Sequence, residues 1–178
     1  MLLRRHRHSD GPELVAAVNA SLVHLAPWMA WAQEPATSAS IDAFLADSER
    51  GFHNGTDFGF AIVQRDEMTQ AERLVGGCGL HLRIGPGAIE IGYWVHADHL
   101  RRGIARSAAV ALRDEAFSMG IDRVEIHCDE RNTASAAVAR SAGFELVGTA
   151  HRPAGTPGES DRAMIWRSTR RAEAASAG

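Results

Sequence analysis

Leu100-Arg101-Arg102-Gly103-Ile104-Ala105-Arg106-Ser107 carries the chain's clearest chemical signal. It joins a strand-like run, Ile89 to Val95, to a helix-like run from Ile104 to Met119. A glycine at such a turn lets main chain approach a ligand closely. The first amides of the helix that follows have no intrahelical partner. With the helix dipole and Arg101, Arg102 and Arg106 nearby, the turn suits a phosphate or pyrophosphate. Glu90 is the second candidate. Alternation puts Glu90, Gly92 and Trp94 on one face of the strand, with Ile91, Tyr93 and Val95 on the other. A carboxylate among apolar strand residues is expected to have a raised pKa, which suits a proton acceptor near neutrality. A structural ion pair is the plainer reading. Asn132 and Ser135 stand at a helix start, where Asn has a simple role as a cap.

The elements that position these residues follow from periodicity and turn chemistry. Met1 to Arg7 reads as a short edge strand. A helix starts at Asp10-Gly11-Pro12, with Leu14, Val18, Leu22 and Leu25 on one face. Ala26-Pro27-Trp28-Met29-Ala30-Trp31 is an aromatic loop. A second helix from Ser38 carries Ile41, Phe44, Leu45, Ser48 and Phe52 at helical spacing and closes at Asn54-Gly55. Three strands follow, at Phe58–Gln64, Leu74–Arg83 and Ala88–Val95, and their short turns predict antiparallel neighbours. The helix Gly103–Met119 then leads to a strand at Arg123–Cys128, a crossover that makes this strand parallel to Ala88–Val95. A helix over Asn132–Ala142 stops at Gly143-Phe144. Strands at Glu145–Ala150 and Arg162–Trp166 complete the order. The expected architecture is one α/β domain over residues 1–168: about seven strands in a mixed sheet, flanked by about four helices. Residues 169–178 are expected to be a disordered tail.

Composition excludes several classes. At 178 residues and a net charge of −3, the chain has no bulk attraction for nucleic acid. No apolar run reaches the length of a membrane span. The basic N-terminus lacks the apolar stretch of a signal peptide, so a cytoplasmic protein is the default. Cys78 and Cys128 lie in apolar runs and read as buried free thiols. His96-x-x-His99 and His127-Cys128 lack a four-ligand spacing, so no metal is expected. There is no G-x-x-x-x-G-K-[ST] loop, which removes a P-loop nucleotidase.

Glu90-Ile91-Gly92-Tyr93-Trp94 before Arg101-Arg102-Gly103-x-Ala105, in this order of elements, resembles the GNAT superfamily of acyl-CoA-dependent N-acyltransferases. A second segment supports this: Asn132-x-x-Ser135-x-x-Val138-Ala139, ending at Ala142-Gly143-Phe144. His24-Leu25-Ala26-Pro27-Trp28-Met29-Ala30-Trp31 is similar to the loop of the RimJ/RimL-type branch, which acetylates protein N-termini. The chain departs from the wider pattern at Leu100, where Gln or Arg is frequent, and at Ala139, where many members carry Tyr.

The resemblance implies a V-split in the sheet and acetyl-CoA as cosubstrate. It places the pantetheine arm along Trp94, Val95 and His96, with the acyl oxygen near the Val95 amide. It places the pyrophosphate on Arg101, Arg102, Gly103, Ile104, Ala105, Arg106 and Ser107. Asn132 is then a cofactor-arm contact, Ser135 a group near the sulfur, and Glu90 the general base. The acceptor is expected to be a primary amine, with a protein or peptide α-amine favoured. Such an amine has a pKa of about 8, against about 10.4 for lysine, so it needs less help from a base. The resemblance also implies a homodimer. A small-amine acetyltransferase, acting on a polyamine, amino acid or aminoglycoside, is the alternative within the class. A non-catalytic acyl-CoA sensor is the alternative outside it. His81 reads as a solvated strand histidine or a second proton acceptor. Trp28, Met29 and Trp31 read equally as an acceptor wall or as packing over the first helix.

Overall fold

Two layers of helix cover opposite faces of one twisted sheet in the computed structural model, which describes residues 1–170. Pro12 sits in the first turn of α1 (Gly11–Leu25), where its missing N–H costs nothing. Leu14, Val18 and Leu25 are buried along its inner face. Thr37 caps α2 (Ser38–Asn54) by accepting from the Ser40 amide at 3.2 Å, and Ser40 Oγ accepts from the Thr37 amide at 3.0 Å. Ile41 and Leu45 of α2 pack with Leu14 and Ala17 of α1 on Ala61, Val63 and Leu74 of the sheet.

The strands are β1 (Leu2–Arg5), β2 (Asp57–Arg65), β3 (Glu72–His81), β4 (Ala88–Val95), β5 (Arg123–Asp129), β6 (Glu145–His151) and β7 (Arg162–Thr169). They form a seven-stranded sheet in the order β1-β2-β3-β4-β5-β7-β6. All neighbours are antiparallel except β4 and β5, which run parallel as the crossover requires. The crossover helix is α3 (Ile104–Ser118). Its buried stripe is Ile104, Ala108, Leu112 and Ala116, an i, i+4 series whose alanines let it lie close to the sheet. The helix α4 (Thr133–Ser141) buries Ala136 and Ala139 against the same face. The core there includes Ile89, Ile91, Val124 and Ile126, each at most 2 % exposed. Each such side chain contributes roughly 1.5–3 kcal/mol by leaving water.

Two local features set up the site. β4 and β5 share only three register pairs, Ala88↔Arg123, Ile89↔Val124 and Glu90↔Glu125, so the sheet splits beyond Glu90 as expected. β3 carries an extra residue against β2: Ile62 pairs with Gly76, but Val63 pairs with Leu74, leaving Val75 as a bulge.

The structure also corrects several boundaries. The first strand is shorter than expected, and His8–Asp10 form a 3-10 turn ahead of α1. Ala30–Ala32 of the aromatic loop make another such turn. β3 ends at His81, leaving Arg83 outside it. At the C-terminus β7 runs to Thr169, and Arg170 donates to Asp122 at 2.8 Å, so order extends past residue 168. The rest of the expected tail, 171–178, lies outside the described residues.

Candidate active site

Main chain dominates one end of the site. Gly103 precedes α3 with φ +76°, and Arg101 has φ +56°. Gly103 is needed for its conformation rather than for lack of room, because a β-carbon there would meet nothing within 4 Å. Within the protein itself the left-handed backbone is the constraint at this position. Ser107 N–H is the first amide to find a helical carbonyl, that of Gly103 at 2.9 Å. The amides of Ile104, Ala105 and Arg106 precede it and face the turn, an arrangement that fits a diphosphate. Arg101 and Arg102 are exposed beside them. Arg106 differs from expectation in its side chain, whose Nε donates to Ser141 O at 2.8 Å and braces α4. What Arg106 offers the turn is its amide.

The split in the sheet supplies the next set of groups. His96 N–H donates to Val75 O at 2.8 Å, so this amide is committed to β3 and is not free for a ligand arm. Main-chain groups alternate sides along a strand, which turns the Val95 amide toward the gap. His24 Nε2 lies 3.0 Å from Val95 O. A carbonyl only accepts, so that nitrogen carries the proton. Trp94 contributes its side chain to the opposite face: its indole packs edge-on to Trp31, with centroids 6.1 Å apart. Gly77 makes room for it, since a β-carbon there would come within 2.5 Å of Trp94 Nε1. The expected trio of Trp94, Val95 and His96 thus separates into an aromatic wall, an amide facing the gap and a strand rung.

Across the gap, Asn132 Oδ1 accepts from Ser135 N–H at 3.0 Å and caps α4. The structural role is fulfilled, and the Asn132 amide nitrogen has no partner among the described residues. Ser135 Oγ lies 2.9 Å from the phenolic oxygen of Tyr93 on β4. Tyr93 was legible only as a core-facing residue, yet it links the two sides of the split. Burial pushes its phenol well above the usual tyrosine range, although the Ser135 hydrogen bond opposes this. Burial also pushes the Cys78 thiol up to about 12 and raises Cys128, so neither is a ready nucleophile.

Glu90 overturns the expectation of a raised pKa. It is 7 % exposed, and burial does push it up. Arg83 more than offsets this: its Nε donates to Oε2 at 2.7 Å and its Nη2 to Oε1 at 2.8 Å. The carboxylate is held below its ordinary range, ionised, with both oxygens occupied. Arg83 was not singled out in the sequence because the turn between β3 and β4 hides how close it comes to Glu90.

A trench of about 390 Å³ lies on the α1/α2 side of the sheet. Trp28, Met29 and Trp31 wall it, and Gly77, Gly79 and Gly92 form its floor. The aromatic loop is therefore a wall of the hollow. A second hollow of about 350 Å³, bordered by Asp47, Arg50 and Asp57, shares His81 and Gly59 with it. Among the described residues there is no group of three or more side chains placed to hold a metal ion, and no helix is long and apolar enough to cross a membrane.

A split mixed sheet with an amide-lined turn after the strand at the gap defines an acyltransferase fold. Residues 1–145 match the family model described as an acetyltransferase (GNAT) domain, and the chain belongs to that family. Its fold is shared by the ribosomal L7/L12 α-N-protein acetyltransferase RimL, solved with coenzyme A (TM-score 0.82, 23 % identity, 94 % of this chain and 92 % of that one). It is similar to the microcin C7 self-immunity acetyltransferase MccE, solved with acetyl-CoA and AMP (TM-score 0.83, 22 % identity, 94 % and 91 % coverage). RimJ of Mycobacterium smegmatis, solved with a CoA disulfide, has the same fold (TM-score 0.80, 24 % identity, 94 % and 80 % coverage). No curated protein matches the chain significantly by sequence.

Proposed function

We propose that this GNAT enzyme transfers the acetyl group of acetyl-CoA directly to the N-terminal α-amine of a protein or peptide, as a RimJ/RimL-type member of the family. The lining of the trench carries the reading. Its charged or titratable side chains are Arg83, His6, His81, Cys78 and Tyr93, with no carboxylate among them. A site for polyamines or aminoglycosides would be lined by acid, whereas an open aromatic trough takes an extended peptide end. The solved relative named RimL is itself an α-N-protein acetyltransferase.

In this reading the amides at 104–107, with Arg101, Arg102 and Gly103, hold the pyrophosphate. The Val95 amide faces the thioester oxygen and stabilises the charge that develops there. Asn132 contacts the arm through its free amide nitrogen. Ser135, held by Tyr93, stands at the departing sulfur. Glu90, fixed ionised by Arg83, attracts the ammonium rather than deprotonating it. A cytoplasmic setting fits this acceptor. A homodimer fits the exposed edge strand β6, where Leu146 and Val147 are half-exposed.

The test is a competition assay read by mass spectrometry. Purified protein and acetyl-CoA meet peptides with free Ser, Ala or Met N-termini, N-blocked lysine peptides, polyamines and aminoglycosides. Selective labelling of the free N-termini is the expected result. Label on small amines alone would replace the proposed acceptor, and binding of acetyl-CoA without any label would leave a sensor.

A further inference from the structure

Directly above the trench floor sits a side-chain pair that the reading so far does not use. His81 closes β3, and its Nδ1 is in short contact with Asp57 Oδ1 at the start of β2. A carboxylate beside Nδ1 accepts its proton and leaves Nε2 with the free lone pair. The register aligns Gly59, Gly79 and Gly92 across β2, β3 and β4. Those glycines give the imidazole its place: a β-carbon on Gly92 would come within 3.1 Å of His81 Nε2, and one on Gly79 within 3.3 Å. Nε2 has no hydrogen-bond partner among the described residues. His81 borders both hollows, so the ring stands where they join.

We propose that the Asp57–His81 pair accepts the proton of the incoming amine, with His81 Nε2 as the accepting atom and Asp57 as the residue that positions it. The proposal rests on the acetyltransferase reading above. Glu90 is the other group at hand, but the Arg83 fork occupies both its oxygens. Two protons leave the ammonium. One goes to His81 Nε2 and then to solvent, which frees the nitrogen lone pair to attack the thioester carbonyl. The C–N bond forms, and the C–S bond breaks with its electrons on sulfur. The second N–H proton neutralises that thiolate. An α-amine, with a pKa of about 8, is mostly protonated near neutrality, so a proton acceptor beside it is useful there. The charged and titratable groups facing His81 are Asp57 of β2, Arg83 beyond β3, Glu90 of β4, His6 beyond β1, and Asp47 and Arg50 of α2.

The experiment compares wild type, His81→Gln, Asp57→Asn and Glu90→Gln on a free-N-terminus peptide from about pH 6 to 9. Calorimetry gives the acetyl-CoA Kd of each, and ¹⁵N spectra report the imidazole tautomer. His81→Gln should lower kcat/KM about 100-fold at pH 7. The deficit should shrink toward pH 9, where the amine is already neutral, and Kd should stay within about twofold of wild type. Asp57→Asn should cost about 10-fold and lose the Nδ1–H tautomer. His81→Ala should regain part of its rate with added imidazole. A deficit that is equal at every pH, full activity of His81→Gln, or a larger loss from Glu90→Gln would each overturn the pair's role. Wild type that binds acetyl-CoA but labels no amine would instead remove the transferase reading, and this proposal with it.

Discussion

At the turn before α3, the groups that face outward are amides, held in place by one left-handed glycine. Around His81 they are side chains: Asp57 from β2, Arg83 from the β3–β4 turn, Glu90 from β4, and the tryptophans of the loop after α1. The first region depends on backbone conformation, so it tolerates Leu100 and an Arg106 whose Nε is committed elsewhere. The second depends on pairs of side chains, so each partner matters. In the proposed function the first region holds the cosubstrate through shape and the second meets the acceptor through identity.

Breaking the backbone end should have the largest effect. Gly103→Val forces a β-branched residue to φ +76°, at about 1–3 kcal/mol. The acetyl-CoA Kd should weaken roughly 10- to 100-fold by calorimetry, with peptide KM little changed. An unchanged Kd would remove the diphosphate from this turn.

The second test is acid. His6 lines the trench, and burial lowers its pKa from 6.5 to about 4. Below pH 6.5 the unfolded chain binds a proton there that the fold resists. Stability is therefore present above that pH and is lost as pH falls toward 4, on the order of 1 kcal/mol by pH 5.5. Urea titrations of His6→Phe should show a shallower loss than wild type over that window.

Trp31→Ala sharpens the contrast from the acceptor side. Removing the edge-on partner of Trp94 should raise peptide KM several-fold, for about 1 kcal/mol, and leave acetyl-CoA affinity intact. Loss of acetyl-CoA binding instead would make the aromatic loop part of the backbone-built end. The smallest effect is expected at Arg83→Met. Without the fork, burial is the main influence left on Glu90, and its pKa should rise above the usual carboxylate range. Because Arg83 is largely exposed, the stability cost is below about 1 kcal/mol, or roughly 3 °C in Tm. Carboxyl ¹³C titration reads the first and a thermal scan the second.

The same division explains what the sequence made legible. Ala88–Val95, the α3 turn and the parallel crossover could be read from alternation, one glycine and an order of elements, all local signals. Asn132 was legible as a cap because a cap is local too. The Glu90 pKa was misjudged because its partner lies across a turn. The sequence leaves His81 as a solvated strand histidine or a second proton acceptor, because Asp57 stands on another strand, 24 residues away. Tyr93 was read as core, and its hydrogen bond to Ser135 spans 42 residues. Register and side-chain pairing decide those contacts, and neither has a signature within a short window.

The extra residue at Val75 fixes the parity of everything after it. Leu74 faces α1, and strict alternation from there would send Gly76, Cys78 and Leu80 to that same side. The bulge shifts the count by one. Gly77, Gly79 and His81 come to the trench, and Cys78 and Leu80 go to the opposite core. Were Val75 instead paired in an unbroken ladder, the composition of β3 would be unchanged while its two faces beyond that point exchanged. Leucine would then fill the trench and the imidazole would be buried. The corresponding slip between Leu146 and Gly148 sits on the outer edge strand, where an odd count changes only which side chains meet water.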